Sequence, residues 1–492
     1  MNKQFLLVSY CLLLWMVLVA QDPGKQLLWE RIFFLRDSAA SMAPDQKLEA
    51  LLKLESKFKN DGYRNDSTCT LLLQRIGAAY YTLGDFNRAL KYTVQSINLI
   101  HTNSAQTFTD KNCLLKNYSN LAIYFDSLNN YKGRKMALDS CIAIARNWSS
   151  GIVPEVYLIA LVNKVKDLFY AGDYFRCFDY ATSGELASRK YDGYNAKNYQ
   201  IYFLTWIGNV IIASKDPDLY EQGEAVLLSA LTINKNAGSK ISELGTIYEL
   251  LAEIMMGKGN WDRALKYFRQ ALLNEQQNGT KVGCAQILNN IGELYYSEHL
   301  KDYKKALITY KQALQVIDDN NATGQLNSSE FAPILSNIAG IYVRRGMYDS
   351  MMYYFQLALK KIGIADVTKL PDNPENPFFN KINIKYLIEI IVGKGDSFLA
   401  FYKNKKDPGY LIKAVKEYKL ADRLLDKFKP NLNELESKLF WRKKSRSLYE
   451  HAIEACYYQN KAEDAFYFFE KSRAVILSDQ LNEQTWLGQD DI

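Results

Sequence analysis

The sequence of 492 residues is poor in histidine and lacks the spaced motifs that mark common catalytic and metal sites. Its three histidines are His101, His299 and His451, and none has a cysteine or acid at a spacing that indicates a dyad or metal site. The glycine-lysine-glycine stretches at Gly257 and Gly393 do not match the GxxxxGK[ST] phosphate loop. We therefore expect no catalytic residues, no metal site and no cofactor, and predict that the chain is not an enzyme.

The chain also lacks the features of disordered, nucleic-acid-binding and membrane-spanning proteins. Proline contributes only 10 residues and hydrophobic residues 48%, so disorder is not expected. The net charge of +7 comes from interspersed residues without a basic stripe, which predicts no nucleic-acid partner. After residue 20 no apolar run approaches the roughly 20 residues that a spanning helix needs. We expect no membrane span in the mature chain.

The N-terminus has the one long apolar run, FLLVSYCLLLWMVLVA at residues 5–20, preceded by a single lysine. A short basic start, an apolar centre and a small residue at the end predict a secretory signal peptide over residues 1–20, cleaved near Ala20. A retained N-terminal anchor is the alternative. The mature chain is accordingly expected to be exported, to the periplasm or the cell exterior.

Six cysteines follow the predicted signal peptide, and they are scattered without a CxxC pair or zinc spacing. An exported chain could form disulfides. Because Cys141 and Cys177 fall where the repeats described next have small packed residues, we expect thiols buried in the core instead.

The main feature of the sequence is an internal repeat of two helical patterns joined by a short turn. In YELLAEIMMGKGNWDRALKYFRQALL, residues 248–273, apolar residues recur at three- and four-residue spacing on both sides of a Gly-Asn turn. Ala264 and Ala271 lie two helical turns apart with Phe268 between them, so the helices can approach closely. Related copies have Gly77, Ala122, Gly208, Gly292 and Ala339 at the small position of the first helix.

This pattern resembles the tetratricopeptide repeat, with a small residue and an aromatic in the first helix and alanines around an aromatic in the second. Matching residues run from about 71 to 474 in about nine units, longer than the usual 34 residues. The resemblance implies an all-α, right-handed superhelical α-solenoid whose concave wall is formed by the first helices. Long units of this kind are similar to those of kinesin light chains and of bacterial proteins in which repeats precede a CHAT (caspase-like) domain.

The breaks in the repeat predict how the chain is organised. We expect a helical cap at 21–65, an array of about seven units at 66–363 and a proline-rich loop at 364–381. Further repeat-like units are expected at 382–480 and a short tail at 481–492. The loop is predicted because Pro371, Pro374 and Pro377 are incompatible with a helix interior.

Four polar residues are the candidate binding site. Asn120, Asn290 and Asn337 each precede the apolar-small pair of a first helix. The resemblance to peptide-binding repeats implies that asparagine here faces the concave groove and bonds the backbone of a bound peptide. Glu293 lies three residues after Asn290, on nearly the same face. The alternative is that these asparagines are solvated or bond a neighbouring helix.

The last repeat helix resembles the helix that precedes a CHAT domain, which has the sequence pattern AFxxxExSRAxxL. Glu470, Ser472, Arg473, Ala474 and Leu477 match it. The catalytic domain would begin after Leu481, where only about a dozen residues remain, so we expect its histidine and cysteine to be absent.

These observations predict an exported scaffold that binds an unidentified peptide or protein in its groove, without catalysis. One alternative is the sensor region of a truncated or split CHAT-type peptidase. Another is the periplasmic input region of a signalling system. The partner and the oligomeric state are not specified by the sequence.

Overall fold

The computed structural model describes residues 31–32, 42–60, 67–102, 111–128, 130–146, 155–171, 173–191, 195–237, 244–296, 300–321, 331–371, 384–428 and 435–473. These residues contain no strand. The prediction of an all-α helical-repeat fold is confirmed. The helices are α1 (Pro44–Asn60), α2 (Ser67–Thr82), α3 (Phe86–Thr102), α4 (Lys111–Ser127), α5 (Tyr131–Arg146), α6 (Glu155–Ala171), α7 (Tyr174–Arg189), α8 (Ala196–Ser214), α9 (Tyr220–Ala237), α10 (Leu244–Gly257), α11 (Trp261–Asn278), α12 (Lys281–Tyr296), α13 (Tyr303–Asn321), α14 (Phe331–Arg344), α15 (Tyr348–Lys361), α16 (Ile384–Lys405), α17 (Pro408–Phe428), α18 (Leu435–Tyr458) and α19 (462–473).

From α2 onward the helices follow one another as pairs, so that even-numbered helices are the first and odd-numbered helices the second of each pair. The two helices of a pair pack together, as α12 does on α13 and α16 on α17. Within the C-terminal unit, second helices also contact the next first helix, as α11 contacts α12 and α13 contacts α14. This alternation is the stacking that the repeated sequence pattern predicts.

The chain divides into two compact units. The N-terminal unit holds α1 to α5 together with residues 155–165 and 186–199, and the C-terminal unit holds residues 166–185 and everything from Gln200 on. In the N-terminal unit, α1 contributes Leu51 and Phe58 to a core shared with Leu72 and Ile76 of α2.

The turn between α10 and α11 shows how the sequence ends one helix and begins the next. Gly259 has φ of 73°, a left-handed conformation that glycine adopts without steric cost. The side chain of Asn260 then accepts a hydrogen bond of 3.2 Å from the backbone nitrogen of Arg263. This cap satisfies one of the N–H groups left open at a helix start. Lys215 and Asn460 take the left-handed turn conformation at two other pairs.

Close helix crossings explain both the small residues and part of the tyrosine content. Ala264 and Ala271 are fully buried and Phe268 is 2% exposed, as the repeat predicts. At Gly292 an added Cβ would lie 2.4 Å from Cε1 of Tyr310, so only glycine fits against this ring. Tyr310 is 1% exposed and thus acts as a core residue.

The six cysteines in the described part of the chain are thiols, as expected. Five are buried, and Cys141 and Cys177 are completely inaccessible. Burial raises the pKa of both these thiols to about 12. The prediction of packed thiols is confirmed for these residues.

Some predicted segments lie partly or wholly outside the described residues. They include the signal peptide at 1–20, the tail at 481–492 and most of the proline-rich loop. The first part of that loop forms a 3₁₀ turn at Val367–Lys369, preceded by the buried Ile364. Among the residues that were described, no helix combines the length and hydropathy needed to cross a bilayer.

Candidate functional site

In the C-terminal unit, the first helices contact one another directly, from α12 through α14 and α16 to α18. Since the first helices approach one another along one side of the stack, that side is the inner side of the curve. We call it the inner face. Polar residues on this face link successive first helices through side-chain hydrogen bonds.

The best-defined link joins α12 and α14. Nδ2 of Asn337 donates to Oε1 of Glu293 and to Oδ1 of Asn289, both at 2.9 Å. Asn289 also donates to the same oxygen of Glu293 at 2.9 Å. Asn289 and Glu293 lie one helical turn apart and therefore share a face of α12. The two helices are thus joined by a closed set of amide and carboxylate groups.

Two further links extend this arrangement. Between α10 and α12, Nδ2 of Asn290 donates to Oε2 of Glu249 at 3.0 Å. Between α16 and α18, Nδ1 of His451 donates to Oδ1 of Asp396 at 2.8 Å. We call the three interhelix links the amide–carboxylate ladder and each link a rung.

The four predicted site residues are therefore placed as follows. Glu293 and Asn337 are bonded to each other, and Asn290 occupies the neighbouring rung. All three lie on the inner face of the C-terminal unit. Asn120 is a half-buried residue of α4 in the N-terminal unit. Asn290 and Asn337 also fit the alternative prediction, because the Nδ2 atom of each donates to a residue of the preceding first helix.

Sequence reasoning did not identify Glu249, Asn289, Asp396 or His451 as members of the inner face. His451 does have a detectable register. Asn460 has φ of 55° at the turn after α18, as Gly346 has 68° at the turn after α14. Counting back from these turns places His451 at the position that Asn337 occupies in its own helix. His101, by contrast, is exposed and contacts the hydroxyl of Tyr118 at 3.3 Å, and His299 lies outside the described residues.

The pKa values of several carboxyl and imidazole groups on the inner face are shifted by their surroundings. Burial, with nearby Glu253 and Glu275, raises the pKa of Glu249 to about 7. Desolvation by the surrounding helices, with nearby Glu293, also raises the pKa of Glu253. The hydrogen bond to Asp396 raises the pKa of His451. The inner face therefore carries groups that change charge near neutral pH.

A pocket of about 640 Å³ opens on the inner face between α12, α14 and α16. Polar groups, among them Glu293, Asn337 and Asp396, line it together with the rings of Tyr296 and Tyr386. Oγ of Ser336, also on the wall, is buried and has no hydrogen-bond partner in the described part of the chain. The pocket has the size of a small-molecule or side-chain site and offers hydrogen-bonding groups to an occupant.

Where the structure describes the chain, no group of three or more histidine, cysteine, aspartate or glutamate side chains is placed to hold an ion. On the inner face, Glu249, Glu293 and Asp396 each accept hydrogen bonds from amide, phenol or imidazole donors through one oxygen.

The N-terminal unit has a different polar contact between first helices. Nε2 of Gln74 in α2 donates to Oδ1 of Asn117 in α4 at 3.0 Å, and Nδ2 of Asn117 donates to Oγ of Ser96 at 2.8 Å. Ser96 in turn donates to the carbonyl of Thr70 at 2.9 Å. Gln74 and Ser96 are buried and Asn117 is fully inaccessible. We call this set the buried amide network.

Comparison with known families supports the repeat assignment. Residues 243–319, which include α10 to α12 and most of α13, match the family model described as tetratricopeptide repeat. This stretch therefore consists of tetratricopeptide repeats, as its sequence pattern predicted. A search of curated proteins gave no significant match.

Several solved structures are similar in fold. The apo form of RapI is 12% identical, with a TM-score of 0.48 over 84% of this chain and 98% of RapI. A Rap protein complexed with Competence and Sporulation Factor is 14% identical, with a TM-score of 0.44 over 84% of this chain and 98% of that one. A putative kinesin light chain of Podospora anserina is 12% identical, with a TM-score of 0.33 over 42% of this chain and 95% of that one. Because these scores lie below 0.5, the function of this chain rests on its own residues.

Proposed function

We propose that the chain is a non-catalytic scaffold whose inner face binds an extended peptide or protein segment. The observation that carries the proposal is the pocket of about 640 Å³, which opens on that face beside Glu293 and Asn337. Both residues belong to the site predicted from the sequence.

The ladder leaves hydrogen-bonding capacity for a ligand. Asn290 and Asn337 use Nδ2 within the ladder, while their Oδ1 atoms accept no hydrogen bond from the residues that the structure describes. A carboxamide oxygen can accept from a peptide N–H. An extended peptide presents such groups at regular intervals along its length. We propose the same role for Asn120 in the N-terminal unit.

Selection of binding peptides tests this proposal directly. The purified full chain is used to select from a random peptide library, and the enriched peptides are measured by fluorescence anisotropy. Asn290→Ala with Asn337→Ala is expected to weaken binding about tenfold or more, since each loses a peptide contact. The matched control is Asn274→Ala with Asn278→Ala on the second helix α11. Equal affinity of all three proteins, or no enriched peptide, would contradict the proposal.

We also propose export, supported by the basic start and apolar run of residues 1–20. The division into cap, array, loop and C-terminal units belongs to the same proposal. Protein isolated from its source should begin near Gln21 when its N-terminus is sequenced. A chain that retains Met1 would contradict cleavage and favour the retained anchor.

A second candidate function is the sensor region of a CHAT-type peptidase. It is favoured by the match of Glu470, Ser472 and Arg473 to the helix that precedes such domains. In the structure Glu470 and Arg473 form an exposed pair of 3.4 Å on α19, while Ala474 and Leu477 lie outside the described residues. Reading the nucleotide sequence downstream separates the candidates, because an open frame with a histidine–cysteine pair supports the peptidase.

A further inference from the structure

The amide–carboxylate ladder is interrupted between α14 and α16. In the rung between α12 and α14, Asn337 lies two places before the crossing residue of its own helix, and Glu293 lies one place after Gly292, the crossing residue of the preceding first helix. Ala339 is the crossing residue of α14, and Gly395, which faces the ring of Tyr418, is that of α16. The rung between these helices would therefore join Gly340 to Gly393. Neither residue has a side chain, so this rung is missing.

The pocket lies where the rung is missing. Gly340 and Gly393 both line it, together with Asn337 from the rung before and Asp396 from the rung after. In the occupied rungs a carboxylate, amide or imidazole fills the space between neighbouring first helices. The absence of both side chains leaves this space open to an occupant from outside.

Helix packing does not require glycine at these two positions. A Cβ at Gly340 would have Oη of Tyr296 as its nearest neighbour at 3.7 Å, and one at Gly393 would lie 3.5 Å from Cε1 of Phe355. Both are ordinary contacts. At Gly395, by contrast, a Cβ would lie 2.7 Å from the ring of Tyr418. Glycine is among the least favourable residues in a helix interior, so its presence at 340 and 393 calls for another reason.

The charges on the pocket wall favour a cation. Glu293 accepts both of its ladder bonds at Oε1, and Asp396 accepts from Tyr418 and His451 at Oδ1, both at 2.8 Å. The second oxygen of each carboxylate accepts no hydrogen bond within the described residues. Two carboxylate oxygens are thus available on opposite sides of the missing rung, one from α12 and one from α16.

The basic residues of the wall are already engaged. Nζ of Lys403 pairs with Glu454 at 2.7 Å. Nε of Arg344 donates to the hydroxyl of Tyr296 at 3.1 Å, and its guanidinium lies over the same ring. An arriving cation therefore meets acceptors, together with tyrosine rings that can cover an aliphatic stem.

We propose that this pocket receives a basic side chain, arginine or lysine, of the peptide that lies along the inner face. Its charged end bonds the second oxygens of Glu293 and Asp396, and the peptide backbone continues across the neighbouring rungs. This specificity rests on the proposed peptide-binding function and adds to it the chemistry of one ligand residue.

The test uses peptides with acetylated and amidated ends whose sequence comes from the library selection. One position of the peptide is varied and carries arginine, lysine, leucine or glutamate. Binding to the full chain is measured by fluorescence anisotropy. The arginine or lysine peptide is expected to bind about tenfold or more tightly than the leucine peptide, the effect of one charge-assisted hydrogen-bond set. The double variant Glu293→Gln with Asp396→Asn is expected to lose this preference for a basic residue. Its amide groups can still accept the ladder hydrogen bonds, but they carry no negative charge.

The controls separate this inference from the function on which it rests. Asp262→Asn with Asp349→Asn removes two exposed carboxylates from second helices and should keep the preference. Gly393→Leu should fill the pocket and weaken the basic peptides most, with its fold checked by circular dichroism. Peptides that bind without a basic preference, or a preference that survives Glu293→Gln with Asp396→Asn, would overturn the inference alone. Failure of every peptide to bind would overturn the proposed function as well.

Discussion

The buried amide network of the N-terminal unit and the amide–carboxylate ladder of the C-terminal unit join first helices with the same kinds of side chain. In the network, Asn117 has both ends of its amide bonded and no exposed surface. In the ladder, Asn337 is half-buried and bonded through Nδ2 alone among the described residues. Asparagine therefore serves in both a structural and a candidate binding contact. The two contacts differ in how deeply the amide is buried and in whether its oxygen is left without a donor, and substitutions can test whether these differences matter.

The largest effect is expected for Asn117→Ala. The substitution removes two buried hydrogen bonds, one with Gln74 and one with Ser96, which should lower the free energy of unfolding by about 2–3 kcal/mol. Urea unfolding followed by circular dichroism measures the loss, and hydrogen exchange should locate it in α2 to α4. A loss below about 0.5 kcal/mol would show that the network contributes little to folding.

The next effect is a gain in stability for Glu249→Gln at pH 8. The folded pKa of Glu249 is about 7, above its ordinary value of 4.5, so its favourable contribution is full below pH 4.5 and lost as pH rises through 7. Glutamine removes the penalty of the buried charge and can still accept from Asn290. The variant should be more stable by about 2 kcal/mol at pH 8 and nearly equal to the wild type at pH 4. A pH-independent difference would contradict this assignment.

A smaller effect is expected at the rung of His451 and Asp396. Because the hydrogen bond to Asp396 raises the pKa of His451 above 6.5, the protonated pair stabilises the fold below pH 6.5, and this contribution is lost as pH rises through the folded pKa. Solvent exposure of the pair limits it to less than about 1 kcal/mol. His451→Asn keeps a donor, so unfolding curves of the two proteins should converge at pH 8 and diverge at pH 5.5. Parallel curves would argue against a charged pair.

The smallest effect on stability is expected for Asn337→Ala, about 0.5 kcal/mol, because water can replace its bonds on the half-buried face. Measured under the same conditions as Asn117→Ala, this variant compares a half-buried amide with a fully buried one. Equal losses in the free energy of unfolding would show that burial does not determine how much each amide contributes to stability. If the loss is small while peptide affinity falls, Asn337 serves binding more than folding.

The repeated parts of the fold could be predicted from the sequence. Ala264, Phe268 and Gly292 recur with their equivalents in every clear copy, because each helix crossing imposes the same steric demand. Glu293 and Asn337 could be proposed as site residues for a similar reason, since their position in the repeat is fixed by the crossing residue. The structure supplies the bond between them.

Contacts that depend on irregular spacing could not be predicted. Asp396 and His451 are 55 residues apart, whereas Glu293 and Asn337 are 44 apart. The left-handed turn residue Lys406 follows Gly395 by eleven positions, whereas Gly346 follows Ala339 by seven. The four added residues correspond to about one helical turn of α16, so a constant repeat length does not align Asp396 with Glu293.

The inaccessible thiols give the chain its own reporters of local opening. Burial keeps the pKa of Cys141 and Cys177 at about 12 and that of Cys456 at about 11. At neutral pH almost none of these groups is ionised, and alkylating reagents act on the thiolate. Modification therefore has to wait until a helix pair separates. Since the three cysteines belong to α5, α7 and α18, their separate alkylation rates would record how often each part of the stack comes apart.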